Sequence, residues 1–352
     1  MYHYKIFNSV TNECKEIWEN TERDSSSTFF QNIHYVQRLI RNKNNKTKIV
    51  VIYENNKILT ILPLEIKKYL FINVLQWIGT ECADYCNPIL SKNFDSVYDK
   101  DDFFNTWKKI LKEIGKIDLI FFNNQLAVIN NSINPFVDCF KTALFSKIYN
   151  IELNGGFDDY KDDIKKKDKK HSYEVHRTLI KLDKLNQLSK VSMNIISSLQ
   201  DILDFKDIIE EKRNQLREKN IYNKLDDNFI ALFKHLIELK KTNFFLLSLK
   251  FKNQNISKCF GFVYKNTFYY YIPTISSKSF DSFKPGKILI IEIIKWCIAN
   301  NIKKLDFGLG SEKYKKYFSN KEISLHRYLS FFTFKGSIVY LLILMILRIK
   351  KL

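Results

Sequence analysis

Apolar residues in "DDNFIALFKHLIELK" fall at 229, 230, 232, 233, 236, 237 and 239, and this spacing predicts a helix over Asp226–Lys240. Two apolar runs follow, "NFFLLSLKF" and "ISKCFGFVY", separated by Lys252–Asn255, and read as a β-hairpin. "TFYYYIPTI" is a third, aromatic strand. A Pro-Gly turn comes next, then a helix from about Gly286 to Asn300 and a strand over Lys303–Gly308. The first half repeats the order. "STFFQNIHYVQRLIRN" (Ser27–Asn42) reads as a helix, "TKIVVIYENNKILTILPLEIKK" as two strands around Asn55-Asn56, and "NVLQWIG" as a third strand. A helix over Asp101–Gly115 and a strand over Lys116–Phe122 complete it. The pattern predicts an α/β chain of layered α+β type with two tandem, related domains, each a central mixed β-sheet flanked by helices. The expected limits are 1–157 for the first domain, 158–222 for a connecting helical segment with a charged helix near Ile208–Asn220, 223–335 for the second domain, and 336–352 for a tail.

The chain has 352 residues, 45% of them hydrophobic, which suits two cores better than one. Its formal net charge is +19. The sequence is rich in Lys, Asn and Ile and poor in Ala, Gly and Pro, as an AT-rich genome would encode, so part of the lysine excess carries no message. The remainder fits an anionic partner. The cluster "KDDIKKKDKKHSYEVHR" (Lys161–Arg177) is mixed in sign and reads as a solvated linker or helix face. The N-terminus lacks the apolar core of a signal peptide, and the six scattered cysteines read as reduced thiols of a cytosolic protein. Cys82 and Cys86 form the one close pair, without a histidine to complete a zinc set, so no metal is expected. The tail "GSIVYLLILMILRIKKL" has an apolar run from Ile338 to Leu347 followed by Arg348, Lys350 and Lys351. A bilayer-spanning helix needs about 20 apolar residues. The tail therefore reads either as a buried terminal helix or as an interfacial segment with basic anchors. The expected location is cytoplasmic, with peripheral membrane contact through 336–352.

Chemistry concentrates first in "FKPGKILIIEIIKW" (Phe283–Trp296). A helix N-terminus presents unpaired N–H groups, and Gly286 lets an anion approach without a Cβ in the way. Lys284 and Lys287 add charge, and the 284–288 turn, including Ile288, reads as a phosphate cradle. The other reading is an ordinary Pro-Gly turn. The corresponding turn of the first half, "SKNFDSVYDK", has no glycine. Asp84, in "ADY", follows an apolar strand. It reads as a partly buried base with a raised pKa, or as a cap for the turn before Asn87-Pro88. Asp306 reads as a bond to the loop that follows its strand. Tyr314 reads as aromatic packing or as an acid, and Lys315 as a contact to an anion or a solvent-facing residue. No G-x-G-x-x-G is present, which argues against a dinucleotide site.

"YYIPTISSKSFDSFKPGKILIIEIIKWCIANNIKKLDFGLGSEKYKKYF" (Tyr270–Phe318) resembles the C-terminal half of the cellulose-biosynthesis-type acetyltransferases. These belong to the GNAT superfamily, near the FemAB-like proteins with duplicated GNAT domains. The resemblance lies in the aromatic strand, the Pro-Gly-Lys helix start, Leu-Asp-Phe-Gly, and Glu312, Tyr314 and Lys315. "WIGTECADYCNPIL" (Trp77–Leu90) resembles the family's other landmark, a Gly followed by Asp-Tyr. The likeness spans roughly 27–334 and implies two tandem GNAT-like domains. It implies acyl transfer from acyl-coenzyme A, acetyl-CoA above all, to an amine or hydroxyl, with the pyrophosphate on the turn of Gly286. The superfamily's fuller turn has more glycines than this one. The resemblance also implies Tyr314 as an acid, Tyr85 near the acceptor, and His176 and Arg177 in the family's basic acceptor segment. Three functions follow. The first is an acyl-CoA-dependent N- or O-acyltransferase acting on a sugar or glycan precursor in cell-surface polysaccharide synthesis. The second is an aminoacyl-tRNA-dependent transferase, the one reading with a nucleic-acid partner. The third is a non-catalytic GNAT-like binding module.

Overall fold

Pairs of left-handed residues punctuate the sheets. Asn55 and Asn56 have φ of 47° and 63° and join the strand Lys46–Glu54 to Lys57–Tyr69. Lys265 and Asn266, at 46° and 58°, join Gln254–Tyr264 to Thr267–Ile275. Two consecutive φ > 0 residues make the type I′ turn whose twist matches paired strands, and asparagine tolerates that backbone. The expected hairpin of the second half is Asn243–Phe251 paired with Gln254–Tyr264. The computed structural model describes residues 2–40, 46–196, 202–221 and 225–349.

Helix ends follow side-chain caps. Asp226 Oδ1 accepts from Phe229 N–H at 2.8 Å and starts the helix Asp227–Glu238. The helix expected over Ser27–Asn42 is instead a 3₁₀ turn, Phe29–Gln31, followed by the helix Ile33–Ile40. Gln31 Oε1 turns back onto the Thr28 N–H and hydroxyl, at 3.2 and 2.7 Å, while Asn32 adopts an extended backbone. Asn32 Oδ1 then accepts from the N–H groups of His34 and Tyr35 and caps a new helix. Arg41 and Asn42, the end of the expected helix, lie outside the described residues.

By internal contacts the chain divides into one unit of residues 1–146 with 324–352 and another of 147–323. In the first unit, His3–Phe7, Lys46–Glu54, Lys57–Tyr69 and Ile72–Trp77 pair in that order, all antiparallel. Ile72–Trp77 then runs parallel to Leu119–Leu126, across the helix Lys100–Glu113. In the second unit, Val191–Ile196, Asn243–Phe251, Gln254–Tyr264 and Thr267–Ile275 pair antiparallel in order. Thr267–Ile275 runs parallel to Lys304–Asp306, across the helix Pro285–Ala299. The strands of the two units thus repeat one pattern, and the fold is α/β with helices flanking a mixed sheet. The last strand of each repeat is exchanged. Leu119–Leu126 takes its antiparallel neighbour from Leu325–Phe331, late in the chain. Lys304–Asp306 takes its neighbour from Asn150–Glu152, in the strand Ala143–Glu152.

The helix Pro285–Ala299 is apolar except at Lys287, Glu292 and Lys295, and most of its surface is covered. Ile288, Leu289, Ile291, Ile293, Ile294 and Cys297 are fully buried. They pack with strand residues such as Leu247, Cys259 and Phe268, and with Tyr160, Ile164, Val175, Leu182 and Leu185. The latter five sit on the helices Phe157–Lys167 and Lys169–Leu188, so this part of the 158–222 stretch is built into the core of the second unit. In the first unit, the C-terminal helix Phe334–Ile349 lays Val339, Tyr340 and Ile343 against Ile72, Val74 and Leu119. No helix among the described residues is long and apolar enough to cross a membrane.

Candidate active site

The helix Pro285–Ala299 starts from a left-handed Lys284 (φ 58°, ψ 60°), with Pro285 at its first position, where a missing N–H costs nothing. The Lys284 carbonyl accepts from the N–H groups of Lys287 and Ile288, at 2.9 and 3.3 Å. A Cβ added at Gly286 would meet only Ile275 Cγ1 within 4 Å, at 3.8 Å. Packing inside the unit therefore does not require glycine there. What glycine leaves open is approach from outside.

Cations converge on this helix start. Lys284 is exposed. Lys287 Nζ sits 2.7 Å from Glu174 Oε2 and 5.7 Å from the centre of the Tyr317 ring. Arg177 Nη1 lies 3.4 Å from Glu174 Oε1. Lys181 Nζ donates to the Ser282 carbonyl at 2.7 Å and ties the helix Lys169–Leu188 to the loop before Lys284. Desolvation, followed by the positive charges of Arg177, Lys284 and Lys287, lowers the Lys181 pKa. The hydrogen bond from Lys287 is the largest influence holding the Glu174 carboxyl below its usual range. Four cations thus share one patch with one carboxylate, beside an N-terminal helix turn. Such a patch beside an N-terminal helix turn attracts anions.

The next loop is internally braced. Asp306 is buried, and its Oδ1 accepts from Gly308 N–H at 2.8 Å, so it holds the loop after its strand. Lys315 is 4% exposed; its Nζ donates to the Leu309 carbonyl and lies 3.0 Å from Glu312 Oε2. It clamps the turn through Gly308 and Gly310 rather than facing solvent. Tyr314 packs edge-on to Phe307, with ring centres 6.0 Å apart, and burial raises its phenol pKa. A helix over Ile202–Glu218 anchors the far end of the strand Thr267–Ile275. Lys212 Nζ donates to the Pro273 carbonyl at 2.9 Å and Gln215 Nε2 to the Ile275 carbonyl at 2.9 Å.

In the first unit, Asp84 is half-buried on the turn after Ile72–Trp77. Cys86 N–H donates to the Asn124 carbonyl at 3.0 Å, and Asn124 Nδ2 to the Ala83 carbonyl at 3.2 Å, which fixes the backbone around Asp84. Tyr85 is 1% exposed, with its ring edge-on to Phe30 at 5.6 Å, and is part of that unit's packing. His176 is exposed on the helix Lys169–Leu188. Arg177 joins Lys284 and Lys287 at the helix start. Glu174 and Lys181 were passed over in the sequence, although their spacing with Arg177 (i, i+3, i+7) marks one helical face. The described residues hold no group of three or more His, Cys, Asp or Glu placed to take a metal ion.

Residues 169–316, from the helix carrying Glu174 to the end of the clamped loop, match the family model Acetyltransf_6, an acetyltransferase (GNAT) domain. Similar solved structures include FemX, at 11% identity and a TM-score of 0.56 over 91% of this chain and 96% of that one. L-PGS from Bacillus licheniformis follows at 8% identity and a TM-score of 0.52, over 94% and 95%. The DUF2156 domain of a putative lysylphosphatidylglycerol synthetase from Agrobacterium fabrum has 10% identity and a TM-score of 0.51, over 93% and 95%. At such identities the likeness is one of fold. A search of curated proteins finds no match. The chain is a transferase, and its residues 169–316 are similar to an acetyltransferase (GNAT) domain.

Proposed function

We propose that the second unit takes an acyl group, acetyl in the simplest case, from acyl-coenzyme A and passes it to an amine or hydroxyl of a sugar or glycan precursor for cell-surface polysaccharide. The observation that carries the donor assignment is the patch of Arg177, Lys181, Lys284 and Lys287 around the open turn at Gly286. Donor phosphates would be held there by charge and by the N-terminal turn of the helix. The donor supplies the thioester carbonyl that the acceptor attacks. The chain's own residues must position the donor, take a proton from the acceptor and return one to the departing thiolate. Tyr314, near the start of the helix Lys313–Phe318, is the proposed acid for the second task. Calorimetric titration with acetyl-CoA tests the donor: binding by the native chain that weakens in Gly286→Val supports it, and no heat of binding in the native chain removes it.

A second reading, an aminoacyl-tRNA donor, is favoured by the net charge of +19 and by a FemX-like fold over nearly the whole chain. It predicts tRNA binding whose logarithm falls steeply with the logarithm of salt concentration. Retention of acetyl-CoA binding with flat, weak tRNA binding would exclude it.

A further inference from the structure

The inner face of the C-terminal helix Phe334–Ile349 is accounted for by Ile72, Val74 and Leu119. Its outer face is not. Phe334, Ile338, Leu341, Leu342, Met345 and Ile346 are all exposed, Phe334 to 82%, and their spacing (i, i+4, i+7, i+8, i+11, i+12) places them along one side. A soluble helix normally puts polar residues on that side.

The apolar surface extends beyond the helix. Phe331, exposed at the end of its strand, has its ring 5.2 Å from Tyr340. Phe332 is exposed beside it. Leu70 and Phe71 form the turn leading to Ile72; Leu70 is 89% exposed and has φ of 50°, a backbone that a branched apolar residue seldom adopts. An apolar side chain held out at a turn tip gains nothing from folding. The helix start is fixed, not loose. Thr333 Oγ1 donates to Asp118 Oδ1 at 2.6 Å, the Phe332 N–H donates to the Asp118 carbonyl at 3.0 Å, and Gly336 is the residue that allows the helix to touch that backbone.

Charge identifies what covers this surface. From Lys335 to Leu352 the sequence contains Lys335, Arg348, Lys350 and Lys351 and no acidic residue. Lys68, exposed beside the Leu70 turn, has the same sign. The helix is about 24 Å long at 1.5 Å per residue, short of a span. Exposed apolar side chains flanked mainly by cations, with the Asp118 carboxylate taken up by the Thr333 hydroxyl and the Asn73 N–H, suit the boundary of an anionic bilayer, where acyl chains take the former and headgroup phosphates the latter. We infer that the outer face of this helix, with Leu70, Phe71, Phe331 and Phe332, docks the protein on the surface of an anionic lipid bilayer.

The test is sedimentation of the full chain with phosphatidylcholine vesicles, with and without phosphatidylglycerol. The native chain is expected to bind the anionic vesicles at least about tenfold better than the neutral ones at low salt. Leu341→Ser with Met345→Ser replaces exposed residues only. It is expected to cut partitioning at least about tenfold with an unchanged unfolding midpoint and unchanged acetyl-CoA binding. Lys335→Glu provides an independent variant that should weaken the anionic preference without touching the apolar face. Partitioning of the double variant equal to that of the native chain would overturn the inference. So would a concentration-dependent dimer, abolished by the double variant, in a chain that ignores both vesicles; the face would then belong to a second copy.

Discussion

Glu174→Gln should tighten donor binding while weakening the fold. Glu174 is the one carboxylate within ion-pair distance of the cation patch at the Pro285 helix among the described residues, 2.7 Å from Lys287 Nζ and 3.4 Å from Arg177 Nη1. It competes with any phosphate for those two groups. Removing a unit charge about 8 Å from a bound phosphate is worth about 0.5 kcal/mol in bulk water and about 2 kcal/mol at an effective dielectric of 20. Acetyl-CoA affinity is therefore expected to rise about 2- to 30-fold. Salt near 0.15 M, with a Debye length of about 8 Å, moves the gain toward the lower figure. Stability should fall by about 1 kcal/mol, because a charge-assisted bond with both partners largely buried is lost. Lys287 holds the Glu174 pKa below its usual value, so the carboxylate stays charged through the neutral range. Its contribution to stability is present above the unfolded-state pKa of about 4.3 and fades as pH falls through the lower folded-state value. Native and variant unfolding curves should converge only at that acidic end. Titration calorimetry and urea unfolding on both proteins decide the matter. A folded variant with native or weaker acetyl-CoA affinity would refute the placement of donor phosphate on this patch.

Gly286→Val is expected to raise the acetyl-CoA dissociation constant at least about tenfold, about 1.4 kcal/mol, with little loss of stability, since a Cβ at that position meets only Ile275 Cγ1 within 4 Å; calorimetry beside thermal unfolding checks both. Tyr314→Phe preserves the packing on Phe307 and is expected to cost about 10²-fold in turnover if the hydroxyl protonates the leaving group. Lys315→Met leaves the Leu309 carbonyl without its donor and should destabilise the chain by about 1–3 kcal/mol, read from the urea midpoint.

Periodicity located the strands and helices wherever local chemistry agreed with it. The Asn55-Asn56 turn, the Asp226 cap and the Pro285 helix are all legible because the side chain that sets each backbone lies within a few residues. The helix over Ser27–Asn42 was misread for the same reason in reverse: Gln31 and Asn32 hydrogen-bond the nearby backbone and split it, which hydrophobic spacing cannot register. The turn at Gly286 was legible as a motif, but its electrostatics were not. Glu174 and Lys287 are 113 positions apart, and Lys181 and Ser282 are 101 apart. The clamp made by Lys315 was hidden because a lysine between Lys313 and Lys316 reads as one more solvent-facing residue. Which strand closes each sheet was beyond reach too, since a period of two describes a strand and not its neighbour.

The exchanged last strands have a consequence for how this chain is made. Arg327 donates to Asn123 Oδ1 across 204 positions, beside the pairing of Leu325–Phe331 with Leu119–Leu126. During synthesis, which proceeds from the N-terminus, the edge of Leu119–Leu126 stands unpaired until nearly the whole polypeptide has left the ribosome. Contacts of such high order form late, after the entropy of a long loop has been overcome. The bare edge is meanwhile a template for pairing with other nascent chains. A cut at 146/147 leaves Asn150–Glu152 with Lys304–Asp306 but takes Leu325–Phe331 away from Leu119–Leu126, so the first unit is not a portable stretch of chain.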